Sequence, residues 1–253
     1  MELKKDERID DLEYKGLKII QNQKGFCFGM DSVLISDFAR DIKNNSVGVD
    51  LGTGTGIISI LLSAKTNLSK IIGVEVQKDV ADMARRSVLL NKLQNKIEIV
   101  NLNLKAIKEK KNIESLLKKD SFDFVITNPP YKKLDTGKIN ENEYRYISRH
   151  EITANLEDFI QVTNFLLKDR GKIYLVHRPE RLVDIMQLMR KYKLEPKRIR
   201  FVYPSINKEP NLVLISGVKN ARPFLKIDKP LFVYENGKYT DEILKIYNKK
   251  SDL

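Results

Sequence analysis

The sequence has very few of the residues that build disulfides and soft metal sites. Its 253 residues include one cysteine (Cys27), two histidines (His150 and His177) and no tryptophan. A single cysteine excludes an internal disulfide and every cysteine-rich zinc site. Two histidines are too few for chemistry based on several imidazole ligands. We therefore expect no metal site, and a function that needs neither a metal nor a thiol.

Long hydrophobic stretches are also absent. The apolar run from Ile57 to Leu62 is far shorter than the about 20 residues that a membrane-spanning helix requires. The first eight residues lack the apolar segment of a signal peptide. We expect a soluble, reduced, cytoplasmic protein with no membrane partner. The length favours one large domain, or one domain with a small appendage.

Positive charge is in excess. Lysine and arginine number 46 against 34 aspartate and glutamate residues, which gives a formal net charge of +12. Between Lys168 and Arg200 the chain carries eleven basic and four acidic residues. Such a stretch produces a field that attracts a polyanion. An A+T-rich genome also enriches lysine, so a nucleic-acid surface and a solvated basic face are equally good interpretations.

Short β-branched segments alternate with longer amphipathic ones over the middle of the chain. Predicted strands cover 46–50, 71–75, 96–100, 122–126 and 172–176, and predicted helices cover 57–64, 80–91 and 156–168. This alternation predicts an α/β fold with a mostly parallel, twisted sheet and helices on both faces. Two further strands, 198–203 and 212–218, predict an antiparallel hairpin at the C-terminal end of that sheet.

The flanking segments predict small additions to this core. Residues 16–21 and 26–28 predict a β-hairpin, and Asp31 or Ser32 is well placed to cap a helix that continues to Phe38. After residue 220 the pattern predicts a strand over 231–234, a turn at 236–237 and a helix over 241–247. We divide the chain into residues 1–45, a central domain of residues 46–220 and an extension of residues 221–253.

A glycine-rich turn joins the first core strand to the first core helix. The segment reads Asp50-Leu51-Gly52-Thr53-Gly54-Thr55-Gly56. Glycine permits a tight turn and the close approach of a ligand to the backbone. The helix that follows adds unpaired N–H groups and the positive end of its dipole. The Lys-Ser/Thr pair of a phosphate loop is missing, and the third glycine of the dinucleotide fingerprint would fall at Ile57.

An acidic residue, Glu75, stands at the end of the second core strand. Ligands of open α/β sheets bind outside the carboxyl ends of the strands. A carboxylate at this point can accept hydrogen bonds from both hydroxyls of a ribose, as in dinucleotide-binding folds. The alternative is a solvated loop acid, which its position makes the weaker interpretation.

A proline-containing tetrapeptide ends the fourth core strand. It consists of Asn128, Pro129, Pro130 and Tyr131. Prolines stop a strand, but a strand terminator requires neither the asparagine nor the tyrosine. The Asn128 side-chain oxygen and the Pro129 carbonyl offer two acceptors for the hydrogens of an amine, and the fixed φ of proline holds the carbonyl in place. Tyr131 can stack on a planar group.

These two motifs resemble those of a known enzyme class. The pattern [DE]-x-G-x-G-x-G is similar to the first motif of class I S-adenosylmethionine-dependent methyltransferases, and the tetrapeptide resembles the fourth motif of amino-methyltransferases. Two acceptors would draw electron density back onto a conjugated nitrogen, which could then attack the sulfonium methyl in line. The proton can leave to solvent without a dedicated base. The motif leaves adenine, cytosine, guanine and glutamine amide nitrogens open.

Further stretches resemble one family, the bacterial tRNA(Val) adenine N6-methyltransferases, which modify the adenine beside the anticodon. The similar stretches are 10–12, 16–21, 26–34, 50–56, 81–84, 86–88, 128–131, 149–151 and 178–182. They cover nearly the whole chain from residue 10. The resemblance implies a Rossmann-like class I methyltransferase fold, S-adenosylmethionine as cofactor, and N6 of an adenine in tRNA, at position 37, as the target.

The resemblance also implies a role for individual residues. Catalysis is expected at Asn128, Pro129, Pro130 and Tyr131, and cofactor binding at Phe28, Asp31, Asp50, Gly52, Gly54, Gly56, Glu75, Asn103 and Asn128. Residues 1–45 would cover the cofactor site, and residues 46–220 would form the methyltransferase domain. The expected partner is the anticodon loop of tRNA, and we expect a monomer.

Three alternatives stay open. A release-factor-type protein-glutamine methyltransferase shares the tetrapeptide, although such enzymes usually carry a helical N-terminal domain and only about 45 residues precede the first core strand. A DNA adenine methyltransferase would need a target-recognition domain, which is not evident. An RNA-binding module with a degenerate site fits poorly with the intact motifs. Tyr144, Arg145, Tyr146 and Arg149 suit either stacking on a splayed RNA loop or an ordinary mobile loop.

Overall fold

The computed structural model describes residues 2–24, 29–108, 116–131 and 154–249. Predictions that fall elsewhere, which include those for Phe28, His150 and the segment 132–149, lie outside the described residues. The helices are α1 (Met30–Phe38), α2 (Ile57–Lys65), α3 (Lys78–Leu90), α4 (Leu104–Lys108), α5 (Leu156–Leu166), α6 (Leu182–Lys191) and α7 (Asp241–Ile246). Within the described ranges, none of them has the length and hydrophobicity needed to cross a bilayer.

The strands form one large sheet and two small hairpins. They are β1 (Glu7–Asp11), β2 (Lys18–Asn22), β3 (Val47–Leu51), β4 (Lys70–Glu75), β5 (Ile97–Asn101), β6 (Phe122–Thr127), β7 (Leu167–His177), β8 (Leu194–Tyr203), β9 (Leu212–Lys219), β10 (Lys226–Ile227), β11 (Leu231–Phe232), β12 (Tyr234–Glu235) and β13 (Lys238–Tyr239). The large sheet has the order β10-β8-β9-β7-β6-β3-β4-β5, and β11 also pairs with β8.

Strands β3 to β7 run parallel to one another. Strand β9 runs antiparallel between β7 and β8. The predicted α/β fold with a mostly parallel sheet and an antiparallel C-terminal hairpin is therefore confirmed. Strand β3 lies between β4 and β6, so the strand order reverses there. We call the side of the sheet at which β3 to β7 end the carboxyl edge; it is where such sheets bind ligands.

Helices cover both faces of the sheet, as predicted. One hydrophobic cluster joins α1, α2 and α3 to the sheet, and a second joins α4, α5 and α6 to the opposite face. Neighbouring residues of β6 alternate between the two clusters: Phe124 and Ile126 belong to the first, and Val125 belongs to the second. This alternation follows from the two-residue period of a β-strand and explains why the core strands are almost wholly apolar.

Strand β2 pairs with β1, and its predicted partner, residues 26–28, lies outside the described residues. Two other details of the predicted elements are wrong. Gly29, rather than Asp31 or Ser32, is the N-cap residue of α1, because Asp31 lies inside the first turn. The predicted helix over 156–168 ends at Leu166, and β7 begins at Leu167.

Helix α6 was not predicted from the sequence. It buries Ile185 and Met189, and Leu182, Met186 and Leu188 pack partly buried against the same cluster. These spacings are those of an amphipathic helix, so the periodic signal was present in the sequence.

Gly48 provides a test of the packing between β3 and β6. A Cβ atom at Gly48 would overlap with the ring of Phe124. We expect Gly48→Ala to lower the free energy of unfolding by about 1–3 kcal/mol, as overpacking does. Urea unfolding measures this loss. Gly48→Ala should lower the free energy of unfolding by less in a Phe124→Leu variant than in the wild type, because leucine fills less of the space that the new Cβ enters. An unchanged stability in Gly48→Ala would contradict this packing.

Candidate active site

The glycine-rich turn at the end of β3 exposes bare backbone at the carboxyl edge. Gly52, Gly54 and Gly56 have φ angles of +73°, +58° and +92°. Residues with a Cβ rarely adopt this left-handed conformation. A Cβ added to Gly54 would meet no atom within 4 Å. The backbone of Gly54 therefore faces open space, directly before the N-terminus of α2.

Asp50 supports this turn from inside the protein. Its side chain is fully buried, and its Oδ2 accepts hydrogen bonds from Thr53 Oγ1 at 2.6 Å and Ser59 Oγ at 2.9 Å. Its Oδ1 has no partner among the described residues. Burial raises the pKa of Asp50 to about 6 against the effect of the two hydroxyl groups. The structure thus places Asp50 beneath the glycine turn rather than in the cleft described below.

Glu75 ends β4 beside the glycine turn. It is 2% exposed, and its Oε2 accepts a hydrogen bond from the Gly54 N–H at 3.1 Å while its Oε1 accepts one from the Gln77 N–H at 2.9 Å. Burial raises the pKa of Glu75 in spite of these bonds. Hydrogen bonds from the Val76 N–H and the Gln77 side chain also lower its pKa, so the carboxylate has several donors around it.

Asn101 and Asn103 have different roles at the end of β5. Asn101 Nδ2 donates to the carbonyl oxygens of Glu75 and Val76, both at 2.9 Å, and so fixes the turn after β4. Asn103 Oδ1 accepts a hydrogen bond from the Lys105 N–H at 2.9 Å at the start of α4. Of the two asparagines, only Asn103 lines the cleft at the carboxyl edge.

This cleft has apolar walls and few polar groups. It is lined by Gly52, Val74, Glu75, Val76, Leu102, Asn103, Leu104, Pro130, Ala154 and Phe159. An apolar pocket with a few fixed polar groups is the usual form of a small-molecule site. Among the described residues, no group of three or more His, Cys, Asp or Glu side chains is arranged to hold a metal ion.

Asp31 lies against the tetrapeptide at the end of β6. Its Oδ2 accepts hydrogen bonds from Asn128 Nδ2 at 2.9 Å and from the Tyr131 hydroxyl at 2.8 Å, and its Oδ1 accepts one from the Ser32 N–H at 2.9 Å. Because Nδ2 of Asn128 is bound to the carboxylate, the amide orientation is fixed and Oδ1 is left as the acceptor. Asp31 was expected to bind the cofactor; the structure places it in contact with two of the expected catalytic residues.

The Tyr131 ring is fixed by two neighbours that the sequence did not identify. The His177 ring centroid lies 5.0 Å from that of Tyr131, and the Arg178 guanidinium lies 5.2 Å from the Tyr131 ring. Burial and the Asp31 carboxylate raise the pKa of Tyr131 well above its usual value. The hydroxyl therefore keeps its proton. The stretch 178–182 is part of the family resemblance, but nothing in the local sequence places His177 or Arg178 beside Tyr131, because β7 comes beside β6 only in the folded sheet.

His177 is a buried neutral imidazole. Its Nδ1 accepts a hydrogen bond from the Arg178 N–H at 2.8 Å, which leaves the ring proton on Nε2. Burial and the neighbouring Arg181 lower the pKa of His177 to about 4.

The low pKa of His177 predicts a loss of stability in acid. The unfolded chain takes up a proton near the ordinary imidazole pKa of about 6.5, whereas the folded protein does so only near pH 4. The stabilisation is therefore present above pH 6.5 and falls as the pH drops, by about 2 kcal/mol between pH 7 and pH 5. In His177→Gln we expect the difference in unfolding free energy between these two pH values to shrink by about this amount.

Urea unfolding of both proteins at pH 7 and pH 5 measures the difference. Asp50, whose raised pKa acts in the opposite sense, is present in both proteins and cancels in the comparison. An identical pH dependence in the two proteins would show that folding does not lower the pKa of His177.

The basic stretch from Lys168 to Arg200 is largely neutralised by acidic partners. Seven of its eleven basic residues form ion pairs; they are Lys168, Lys172, Arg181, Arg190, Lys191, Arg198 and Arg200. Several of the acids, such as Asp41 and Glu242, come from outside the stretch. The local excess of positive charge is therefore smaller than the sequence alone suggests.

The glycine turn, the acidic end of β4 and the tetrapeptide occupy one edge of a sheet with the strand order of the class I methyltransferases. Residues 29–193 match the family described as methyltransferase small domain, and the chain belongs to this family. A curated relative from Porphyromonas gingivalis, named tRNA1(Val) (adenine(37)-N6)-methyltransferase, is 27% identical over 208 residues, which are 81% of this chain and 79% of that protein. The resemblance to the bacterial tRNA(Val) adenine N6-methyltransferases is thus confirmed.

Solved structures agree on the fold. A predicted O-methyltransferase from Agrobacterium tumefaciens has a TM-score of 0.70 at 21% identity, and the match covers 87% of this chain and 96% of that one. M. jannaschii TYW2 in complex with AdoMet has a TM-score of 0.56 at 17% identity, with 86% of this chain and 88% of that one covered. These likenesses confirm the class I methyltransferase fold.

Proposed function

We propose that this protein is an S-adenosylmethionine-dependent methyltransferase that methylates N6 of an adenine in tRNA, at position 37 beside the anticodon. The observation that carries the proposal is the pair of hydrogen bonds from Asn128 and Tyr131 to Asp31, next to an apolar cleft closed by Glu75. The name of the Porphyromonas gingivalis relative supports tRNA adenine as the target.

The side chains that line the cleft suit the nucleoside part of S-adenosylmethionine. The Glu75 carboxylate is an acceptor for ribose hydroxyls, and the apolar side chains of Val76 and Leu102 suit an adenine ring whose edge Asn103 can bind. The open backbone at Gly54 leaves room for the remainder of the cofactor. When bound, the cofactor supplies an electrophilic methyl group. The fold shared with a protein solved in complex with AdoMet supports the same assignment.

Asn128 and Pro129 supply the acceptors that the reaction needs. The free Oδ1 of Asn128 and the Pro129 carbonyl each accept one hydrogen of the adenine amine, which returns lone-pair density to the nitrogen. Asp31 fixes the orientation of the Asn128 amide. A flipped amide would point its N–H groups, instead of the Oδ1 acceptor, at the hydrogens of the amine. The contribution is one of positioning and electrostatics.

Tyr131 provides the surface for the target base. An adenine must leave its own stack to reach the site, and a ring held at its hydroxyl by Asp31 receives it in a fixed plane. Stacking of this kind contributes roughly 1–3 kcal/mol per base. Since the raised pKa of Tyr131 keeps the hydroxyl protonated, Tyr131 does not act as the base, and the amine proton leaves to solvent.

Nucleoside mass spectrometry of tRNA tests the proposed function. We expect tRNA from a strain lacking the gene to lose N6-methyladenosine and to regain it on incubation with the purified protein and S-adenosylmethionine. Release factor and DNA serve as competing substrates in the same assay. An unchanged content of N6-methyladenosine in the deletion strain would refute the tRNA proposal, and methylation of a release-factor glutamine would replace it.

Asn128→Ala should separate catalysis from cofactor binding. We expect a loss of at least about 100-fold in kcat, comparable with the removal of one key electrostatic contact, and a cofactor Kd within about 3-fold of the wild-type value. Calorimetric titration with S-adenosylhomocysteine gives the Kd. Glu75→Ala is the reciprocal control and should weaken cofactor binding. Loss of both properties in Asn128→Ala would mean that Asn128 is mainly structural.

Asp31→Asn tests the positioning role of the carboxylate. Asparagine has almost the same volume but only one side-chain acceptor, so it cannot satisfy Asn128 and Tyr131 with two equivalent charged hydrogen bonds. We expect kcat to fall about 10- to 100-fold, since such bonds contribute roughly 1.5–3 kcal/mol. Tyr131→Phe, which removes one of the two bonds, should lose less. A weaker cofactor Kd with an unchanged kcat would instead assign Asp31 to cofactor binding.

A further inference from the structure

We propose that three tyrosines of the C-terminal extension form a stacking surface for the single-stranded RNA that flanks the target adenine. We call Tyr234, Tyr239 and Tyr247 the tyrosine ladder. The inference rests on the proposed function, because it names the part of the protein that holds the same substrate outside the catalytic site. The ladder lies beyond the region that matches the methyltransferase family, which ends at residue 193.

The three rings form a nearly parallel stack. The centroids of Tyr234 and Tyr239 are 5.1 Å apart with an interplanar angle of 18°, and those of Tyr239 and Tyr247 are 6.1 Å apart with an angle of 14°. Pairing of β12 with β13 places Tyr234 directly opposite Tyr239. Tyr247 follows the end of α7. Two separate elements thus contribute to one stack of rings.

The ladder lies at the carboxyl edge, where the proposed catalytic residues also lie. Strand β11 runs parallel to the end of β8, with Phe232 opposite Tyr203, and the Tyr234 N–H donates to the Pro204 carbonyl at 2.9 Å. Strand β8 ends on this edge because β9, its antiparallel neighbour, starts there with Val213 opposite His177.

The inner end of the ladder lies on the same face of the sheet as the tetrapeptide. Tyr131 and Tyr247 both pack against the hydrophobic cluster of that face. The pKa of Tyr247 is raised chiefly by burial and by Tyr239, and the Asp31 carboxylate, which binds Tyr131, is among the smaller contributions. The stack and the site proposed for the target base are therefore on one face of the sheet.

Exposure increases toward the outer end of the ladder. Tyr247 is half-buried, Tyr239 is 37% exposed and Tyr234 is 42% exposed. Among the described residues, no further ring stacks on Tyr234. An exposed ring face at the end of an ordered stack is the feature on which proteins stack the bases of single-stranded RNA.

The exposed tyrosines are not needed to attach the extension to the protein. Aliphatic side chains do this; Leu231, Val233, Ile243 and Ile246 are all at most 5% exposed. Thr240 caps α7 and donates to the Phe232 carbonyl at 2.7 Å, and Lys65 Nζ donates to the Ile246 carbonyl at 3.1 Å. Anchoring therefore does not explain why the rings of Tyr234 and Tyr239 are exposed, whereas a binding role does.

The charge around the ladder is mixed. Lys238 lies in β13 beside Tyr239, but Glu235 stands opposite it in the β12–β13 hairpin. Glu13 contributes to the raised pKa of both Tyr239 and Tyr247. The stacked rings, rather than the charge, would therefore provide the binding.

The physical advantage concerns the bases next to the target. Extrusion of one adenine breaks its stacking with its neighbours. A neighbouring base that stacks on Tyr234 would recover part of that loss. The ladder should therefore act on the affinity for RNA, and not on the methyl-transfer step or on the cofactor.

The test compares Tyr234→Ala, Tyr234→Phe and the wild type on unmodified tRNA from the deletion strain. We expect Tyr234→Ala to raise KM for tRNA roughly 5- to 150-fold, which corresponds to about 1–3 kcal/mol for one stacked base, with kcat and the S-adenosylhomocysteine Kd within about 2-fold of wild type. Tyr234→Phe retains the ring and should behave as wild type. Equal losses in Tyr234→Ala and Tyr234→Phe would overturn a stacking role.

Phe224→Ala is the matched control. Phe224 is 71% exposed on the same extension, but it precedes β10, which pairs with β8 at Arg198 and Ile199, away from the carboxyl edge. We expect its removal to leave KM unchanged. If Phe224→Ala and Tyr234→Ala raise KM equally, the ladder has no special role.

Direct binding separates this inference from the proposed function. Fluorescence anisotropy with a labelled single-stranded RNA measures Kd for each variant whether or not methylation occurs. If the wild type fails to methylate tRNA but Tyr234→Ala still weakens RNA binding while Tyr234→Phe does not, the proposed function fails and the ladder stands. If Kd is unaffected by Tyr234→Ala, the ladder inference fails, even when tRNA is methylated.

Discussion

The carboxylate of Asp31 is the contact on which the arrangement of the candidate site depends. It belongs to the first helix, yet it fixes an amide and a phenol at the end of β6 through hydrogen bonds of 2.9 and 2.8 Å. A carboxylate this well buried needs such donors, because an unpaired buried charge is costly. The same bonds determine which atom of Asn128 faces a ligand. The Asp31 carboxylate thus gains the donors that its burial requires and also sets the geometry of the site.

Much of the fold was predictable because the core strands are buried on both faces. Such strands are continuous apolar runs, and the observed limits of β3, β4, β5 and β6 differ from the predicted ones by only a residue or so. The hairpin strand β1 was missed because its sequence, Glu-Arg-Ile-Asp-Asp, is mostly charged and gives no apolar signal. Helix α6 was also missed, although its apolar residues recur at helical spacing.

Local sequence motifs located the glycine turn, Glu75 and the tetrapeptide, since each follows directly from a core strand. Contacts between distant segments could not be found in this way. The positions of Asp31 against Asn128 and of His177 against Tyr131 depend on packing between separate elements. Asn101 and Asn103 are likewise indistinguishable by spacing; only the fold shows that one holds a turn and the other lines the cleft. The count of basic residues between Lys168 and Arg200 overstated the positive electrostatic field of that stretch, because acidic residues from other segments pair with several of them.

The distance along the chain between Asp31 and Asn128 has a consequence for folding. The two residues are 97 positions apart, and between them lie four strands of the central sheet, β3 to β6. A chain whose sheet has formed but whose first helix has not docked would hold a cleft with an unoriented amide beside it. Such a molecule could retain a ligand but could not align it. The orientation of Asn128 thus depends on the docking of α1 against the end of β6, which joins two parts of the chain that are far apart in sequence.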